Sequence, residues 1–145
     1  YTQIYIYQKF YLTTKDTCPD LVKNLGLGKN KRQTGAHYES LAVRFLTEQG
    51  VMILEQNYRC TYGEIDAIGL APDDYLIFVE IKYRRSGSSG DALESVDVRK
   101  QRIISKVAED YLKRRYGSME VKCRFDVVGI EKDHIRWIQN AFAYQ

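Results

Sequence analysis

Charged side chains interrupt two apolar, strand-like stretches in the middle of the chain. In residues 75–83, Glu80 and Lys82 share one face with apolar residues, because side chains along a strand repeat every second residue. Residues 64–70 place Asp66 on one face by the same rule. Charges among apolar strand residues are costly to bury, so this arrangement constrains both the strand pairing and the purpose of the face.

The residues between the two stretches, Ala71-Pro72-Asp73-Asp74, are typical of a turn, and the sequence predicts a hairpin. A hairpin centred on this turn pairs Leu70 with Leu76, Ile68 with Phe78, Asp66 with Glu80, and Glu64 with Lys82. Like charges directly opposite one another destabilise a sheet, so Asp66 and Glu80 need compensation. A divalent cation, Mg²⁺ or Mn²⁺, is the economical explanation, since Mg²⁺ is commonly held by one or two carboxylates with water and phosphate. The alternative is a solvated edge face, which the apolar residues on the same face disfavour.

The spacing of Asp66, Glu80 and Lys82 matches the D, E-x-K pattern of nucleases with a restriction-endonuclease-like fold. The wider set of matching residues is Gly35, Glu39, Ala42, Asn57-Tyr58-Arg59, 63–66, 78–82, Lys100, 124–128 and Ala141-Phe142. Together they resemble the YraN-like family of small bacterial endonuclease-like proteins, which is similar in core to archaeal Holliday-junction resolvases. The resemblance covers residues 31–145.

The resemblance implies an α/β protein with a restriction-endonuclease-like core. That core is a central mixed sheet of about five strands flanked by two main helices, in the order α-β-β-β-α-β-β. Residues 1–30 are predicted to be an N-terminal extension, either irregular or an edge strand, and residues 31–145 a nuclease-like domain. The expected activity is metal-dependent endonucleolytic hydrolysis of phosphodiester bonds in nucleic acid, with structured or branched DNA as the substrate. The alternatives are a non-cleaving nucleic-acid-binding module and a dimeric interaction protein on the same fold.

Asp66 and Glu80 are predicted to hold Mg²⁺ or Mn²⁺ together with the backbone carbonyl of Ile81, with Glu64 as a further candidate ligand. The resemblance adds Glu39, whose alternative role is that of an ordinary first-turn helix acid. The metal would polarise a phosphodiester oxygen and activate a bound water. We assign Lys82 electrostatic stabilisation, because neighbouring carboxylates favour its protonated form and disfavour proton abstraction.

Two helices are predicted, one before and one after the hairpin in the sequence. Residues 34–49 show an apolar stripe at helical spacing that Gly50 ends. The second helix is predicted to begin after Ser95 as N-cap and to run to about Tyr116. Lys100 lies one turn before its inward apolar residues, so we expect it to face the acidic cluster or a substrate phosphate. The alternative is a side chain whose stem only covers apolar surface.

The net charge of +3, from 22 basic and 19 acidic residues, excludes a polycation that coats any nucleic acid. Two basic clusters nevertheless flank the predicted site, and such residues supply phosphate contacts. The candidate nucleic-acid-binding residues are Lys100, Arg84, Arg85 and Arg99, with Arg59 as a further candidate. The cluster at 113–115 is interpreted as a solvated helix end.

A strand is predicted over residues 120–130, and it places Arg124 and Asp126 on the same face. We expect these two side chains to pair with each other and to have no part in catalysis.

Cysteine usage and hydropathy favour a cytoplasmic protein. The three cysteines, Cys18, Cys60 and Cys123, lack the spacing of a zinc site or a disulfide framework. No stretch has the length and apolarity of a transmembrane helix or of a secretory signal, so no membrane partner is expected. Nucleic acid, and DNA in particular, is the expected partner, and a homodimer is left open.

Overall fold

The structure is a computed structural model, and it describes residues 15–16, 31–85, 96–132 and 134–145. The described residues form two helices, α1 (Lys31–Glu48) and α2 (Val98–Tyr116). The strands are β1 (Lys15–Asp16), β2 (Met52–Cys60), β3 (Gly63–Leu70), β4 (Leu76–Arg84), β5 (Cys123–Glu131) and β6 (His134–Phe142). From residue 31 onward, this is the predicted order α-β-β-β-α-β-β, which is confirmed.

The strands form one mixed sheet in the order β1-β6-β5-β4-β3-β2. β4 and β5 pair in parallel, and the other neighbouring pairs are antiparallel. Two parallel neighbours need a long crossover connection, and α2 lies within the segment that supplies it. β4 therefore occupies an interior position, with β3 on one side and β5 on the other.

One helix packs on each face of the sheet. Leu76 and Phe78 of β4 belong to the apolar cluster that contains the buried face of α2. Ile77 and Val79 belong to the cluster that contains the buried face of α1. Since side chains alternate along the strand, the next even-numbered residue, Glu80, points to the side of α2.

The predicted hairpin register is confirmed at its tip and wrong at its base. Leu70 pairs with Leu76 and Ile68 pairs with Phe78, but the ladder between β3 and β4 ends at Ala67 and Val79. The predicted pairs Asp66–Glu80 and Glu64–Lys82 are therefore not formed in the ladder.

The side chains of β3 do not alternate strictly between the two faces of the sheet around Asp66, and the predicted strand pairing therefore ends there. Ile65 and Ile68 face the same apolar cluster although they are three residues apart. On the neighbouring strand, the register places Asn57 opposite Asp66, and Asn57 has a left-handed φ of 52°. β2 also contains a register shift between residues 53 and 55. The irregular backbone at Asn57 thus lies beside the point where the charged base of the hairpin departs from the regular tip.

Several element boundaries differ from the sequence predictions. The N-cap of α2 is Asp97, not Ser95, because the Asp97 carboxylate accepts the backbone N–H of Lys100 at 2.8 Å. Both residue types can cap a helix, so composition could not separate them. α1 begins at Lys31, three residues before the predicted start at Thr34, and β5 begins at Cys123 instead of residue 120.

The extension predicted over residues 1–30, either irregular or an edge strand, falls largely outside the described residues. Lys15 and Asp16 are described, and they pair with Trp137 and Arg136 at the edge of the sheet. Neither described helix has the length and apolarity needed to cross a bilayer.

Candidate functional site

Glu80 is the buried centre of the candidate site. Its side chain is only 4% exposed, on a strand that is paired on both sides. One carboxylate oxygen, Oε1, lies 2.8 Å from Lys82 Nζ and 3.2 Å from Lys100 Nζ. The other oxygen, Oε2, is buried and has no hydrogen-bond partner among the described residues. A buried acceptor without a partner is costly, so this oxygen is free to bind a cation.

Asp66 lies where the ladder between β3 and β4 ends. Its Oδ2 accepts the backbone N–H of Ile81 at 2.7 Å. Burial raises the pKa of Asp66 to about 7, and the negative charge of Glu80 adds to this effect. The Ile81 hydrogen bond and the charge of Lys100 act in the opposite direction. The nearby positive charge therefore does not offset the burial of Asp66 and the negative charge of Glu80.

Lys82 and Lys100 reach Glu80 from different elements. Lys82 follows Glu80 by two residues on the same face of β4, whereas Lys100 lies in the first turn of α2. The side chains of Lys82 and Lys100 are 29% and 30% exposed, so solvent reaches them, whereas it barely reaches Glu80. Lys100 points inward to the acidic cluster, as its helical spacing predicted.

Glu64 does not pair with Lys82, and that expectation is wrong. Glu64 lies opposite Arg59 of β2, and the two form an exposed salt bridge of 2.8 Å between Arg59 Nε and Glu64 Oε2. The cause is the end of the β3–β4 ladder at Ala67, which leaves Glu64 paired only with β2. Glu64 and Arg59, the further candidates for metal and nucleic acid, therefore neutralise each other.

Glu39 of α1 acts on the site through its charge, which contributes to the raised pKa of Asp66. Within residues 31–85, 96–132 and 134–145, no three His, Cys, Asp or Glu side chains cluster in a way that could hold a metal ion. The site thus offers two carboxylates, Asp66 and Glu80, as its acidic ligands. Two carboxylates leave room for water and substrate phosphate, which is the common mode of Mg²⁺ binding. With the unpartnered oxygen of Glu80, the donor set fits a hard divalent cation.

The basic candidates border the site on two sides. Arg84 ends β4 and Arg85 follows it, while Arg99 is exposed on α2 beside Lys100. The positive charge of Arg85 also acts on Tyr38 of α1, where it lowers the pKa.

Sequence reasoning missed an aromatic pair near the same end of β4. Tyr38 of α1 stacks on Tyr83 of β4, with ring centroids 3.5 Å apart. Burial and the hydrogen bond with Tyr83 raise the pKa of Tyr38 to about 12 against the effect of Arg85. No local sequence signal joins two residues that are 45 positions apart, so only the fold could reveal this contact.

The sheet order and the two flanking helices define a mixed α/β fold in the predicted order of elements. The profile of the Uncharacterised protein family UPF0102 matches residues 38–130, and the chain belongs to this family.

Relatives of the same name agree with this assignment. A UPF0102 protein of Nitrosococcus oceani is 42% identical over 115 residues, which are 77% of this chain and 92% of the relative. A UPF0102 protein of Lachnoclostridium phytofermentans is 43% identical over 113 residues, 78% of this chain and 95% of the relative.

Among solved structures, a repair endonuclease from Pyrococcus abyssi aligns with a TM-score of 0.39 and 17% identity. The alignment covers 72% of this chain and 39% of that structure.

Proposed function

We propose that this protein is a divalent-metal-dependent endonuclease of the D, E-x-K type that hydrolyses phosphodiester bonds in nucleic acid. Structured or branched DNA in the cytoplasm is the proposed substrate. The proposal depends on Oε2 of Glu80, which is buried without a hydrogen-bond partner in the described part of the chain and lies beside a second carboxylate and two lysines. A site of this kind supplies oxygen ligands to a cation and positive charge to a phosphate.

Asp66 and Glu80 would hold Mg²⁺ or Mn²⁺ together with the backbone carbonyl of Ile81, and Glu39 would act on the site through its charge. Such a metal, when bound, polarises a phosphodiester oxygen and lowers the pKa of its water ligand.

Residues of the chain itself orient the carboxylates and stabilise the charge on the phosphate. The N–H of Ile81 orients the carboxylate of Asp66, and the two lysines hold one oxygen of Glu80. Lys82 keeps its ammonium group partly exposed, and it therefore offers a fixed positive charge to the phosphate as negative charge develops there. Because Lys82 is paired with Gly129 of β5 and its ammonium group contacts Glu80, this charge is oriented before the substrate arrives.

The carboxylates argue against a module that only binds nucleic acid. The charge of Glu80 helps to raise the pKa of Asp66, and two neighbouring carboxylates would repel a phosphate backbone unless a cation joined them. A binding module would gain more from lysines alone. The other alternative, a dimeric interaction protein, depends on residues 1–30, most of which lie outside the described part of the chain.

The test compares the wild type with Glu80→Gln, Asp66→Asn and Lys82→Met on branched, single-stranded and duplex substrates with Mg²⁺ or Mn²⁺. Glu64→Gln is the matched control, because it removes the same charge from the same strand as Asp66. We expect the three site variants to lose cleavage by about 100-fold or more, as for removal of other preorganised electrostatic groups. Glu64→Gln should cleave like the wild type. Equal cleavage by every preparation would identify a contaminant and refute the proposal.

Metal binding offers a readout that does not depend on cleavage. Calorimetric titration with Mn²⁺ should show one site in the wild type and in Glu64→Gln, and much weaker binding in Glu80→Gln. Unchanged Mn²⁺ affinity in Glu80→Gln would show that Glu80 is not a ligand.

A further inference from the structure

The cations of α2 fall into two groups that differ in their partners. In the C-terminal half of the helix, each cation faces an acid: Lys113 lies 3.6 Å from Glu109, Arg114 2.8 Å from Asp110, and Arg115 3.1 Å from Glu55. In the N-terminal half, Arg99, Arg102 and Lys106 are exposed, and no acid of the described chain pairs with them. The unpaired cations lie in the half of the helix that also contains Lys100, which contacts Glu80.

The three unpaired cations form a single row. Their spacing of three and four residues places Arg99, Arg102 and Lys106 on neighbouring turns of one helix face. The row starts beside Lys100, which contacts Glu80, and the six residues to Lys106 span about 9 Å along the axis. Like charges at these spacings repel one another, so the helix alone gains nothing from them. A polyanion beside the row would remove that repulsion.

An exposed aromatic ring stands at the far end of the row. Tyr62, in the turn between β2 and β3, is 55% exposed. The next residue, Gly63, has a φ of 150°, and a Cβ there would lie 2.7 Å from the Ile103 side chain. Only glycine permits this close approach, which holds the turn against α2. As a result, Lys106 Nζ lies 6.0 Å from the centre of the Tyr62 ring.

We propose that Arg99, Arg102, Lys106 and Tyr62 form a binding track, here called the α2 track, for one nucleic-acid strand that leaves the candidate site. The cations contact successive phosphates, and the Tyr62 ring stacks on an unpaired base. The direction of the track rests on the function proposed above, because its inner end is the Glu80 site. Its outer end, with a base on Tyr62, commits the track to a single-stranded segment.

The chemistry of the track suits a strand without sequence preference. Phosphate contacts by Lys and Arg supply affinity that does not depend on sequence. Aromatic side chains stack on every type of base, because each base has a π-face. An isolated exposed tyrosine needs no explanation. The exposure of Tyr62 is explained here by its place at the end of the row of unpaired cations. The cations complement the charge of a nucleic-acid strand, and the ring can stack on a base of that strand.

The first test measures binding of a fluorescent single-stranded oligonucleotide to the full chain without added metal, over a series of salt concentrations. The test variant is Arg102→Gln with Lys106→Gln. The matched control is Lys113→Gln with Arg115→Gln, which removes the same charge from the paired half of the same helix. Each single-strand phosphate contact contributes about 0.7 to the slope of log affinity against log salt. The test variant should flatten the slope by about 1.4, and the control should keep the wild-type slope. Equal flattening in both variants, or in neither, would overturn the α2 track.

The second test addresses the base. Tyr62→Ala should weaken single-strand binding by about fivefold or more, because base–aromatic stacking is lost. Tyr62→Phe should keep wild-type binding, and duplex binding should be the same in all three proteins. Equal losses with duplex and single strand, or none with either, would show that no base stacks on Tyr62.

These outcomes separate the track from the proposed function. A wild type that neither binds the single strand nor cleaves any substrate with Mg²⁺ or Mn²⁺ refutes both. The expected binding pattern combined with full cleavage by Glu80→Gln refutes the catalytic proposal and leaves the track intact. If cleavage depends on Glu80 but the salt slope is the same in the wild type and in the Arg102→Gln, Lys106→Gln variant, only the track is refuted.

Discussion

Two clusters of buried charge lie on opposite faces of the same pair of strands, β4 and β5. On the face toward α1, the fully buried Asp126 accepts hydrogen bonds from Arg124 Nε at 2.9 Å, Trp137 Nε1 at 3.0 Å and the Asn140 backbone at 2.9 Å. On the face toward α2, one oxygen of Glu80 contacts two lysines, and no described residue bonds the other oxygen.

The two clusters differ in which buried atom lacks a hydrogen-bond partner within the described chain. Both oxygens of Asp126 are bonded, and the only unpartnered buried atom of that cluster within the described chain is a nitrogen of Arg124, Nη2. Arg124 also pairs with Asp73 at 2.6 Å. The Asp126 cluster therefore connects β5, β6 and the hairpin turn, whereas the Glu80 cluster keeps an acceptor available. We infer that the first serves stability and the second serves binding.

The largest expected effect comes from breaking the Asp126 cluster. Asp126→Asn removes the charge that Arg124 faces in the interior, and loss of one partner of a buried ion pair typically costs about 3–5 kcal/mol. Glu80→Gln leaves Lys82 and Lys100 partly exposed to water, so its free energy of unfolding should change by less than about 1 kcal/mol. Urea unfolding without added metal measures both. Equal destabilisation by the two variants would remove the distinction between the clusters.

A smaller effect is expected from pH. The pKa of Asp66 is raised to about 7 in the folded protein, mainly by burial and then by Glu80, from an ordinary value near 3.8. The folded state therefore binds the proton more tightly than the unfolded state, and stability should fall as the pH rises from about 4 to about 7.

Urea unfolding of the metal-free wild type and of Asp66→Asn at pH 5 and pH 8 measures this effect of pH. The wild type should lose more stability than the variant between the two values. An identical pH dependence in both proteins would contradict the raised pKa.

The smallest effect is expected at the helix cap that positions Lys100. Asp97→Ala removes the acceptor of the Lys100 backbone N–H, and loss of an N-cap costs about 1 kcal/mol. Asp97→Ser keeps a capping oxygen and should retain most of the stability. Thermal unfolding of the two variants measures the difference. If Ser destabilises as much as Ala, the contribution of Asp97 is not that of a cap.

The sequence allowed prediction of contacts that follow a regular period. The hairpin tip followed from alternation at Ile68 and Phe78, and the inward position of Lys100 followed from helical spacing. The pairing of Arg124 with Asp126 followed from their positions two residues apart on one strand, and the expectation is confirmed.

Contacts that depend on irregular backbone or on distant chain segments could not be predicted. The left-handed φ of Asn57 and the end of the ladder at Ala67 broke the register that was expected to join Glu64 to Lys82. The bonds of Asp126 to Trp137 and Asn140 come from 11 and 14 residues away, on a strand whose register contains a shift. Periodicity carries no information about such contacts.

The bond from the Ile81 amide to Asp66 has a consequence for measurement. This N–H donates to a titrating carboxylate of the neighbouring strand β3. Its NMR chemical shift and its hydrogen-exchange rate should therefore report the ionisation of Asp66 from within the central sheet. Cation binding and proton loss at the site should become visible at this single backbone atom, before any substrate is supplied.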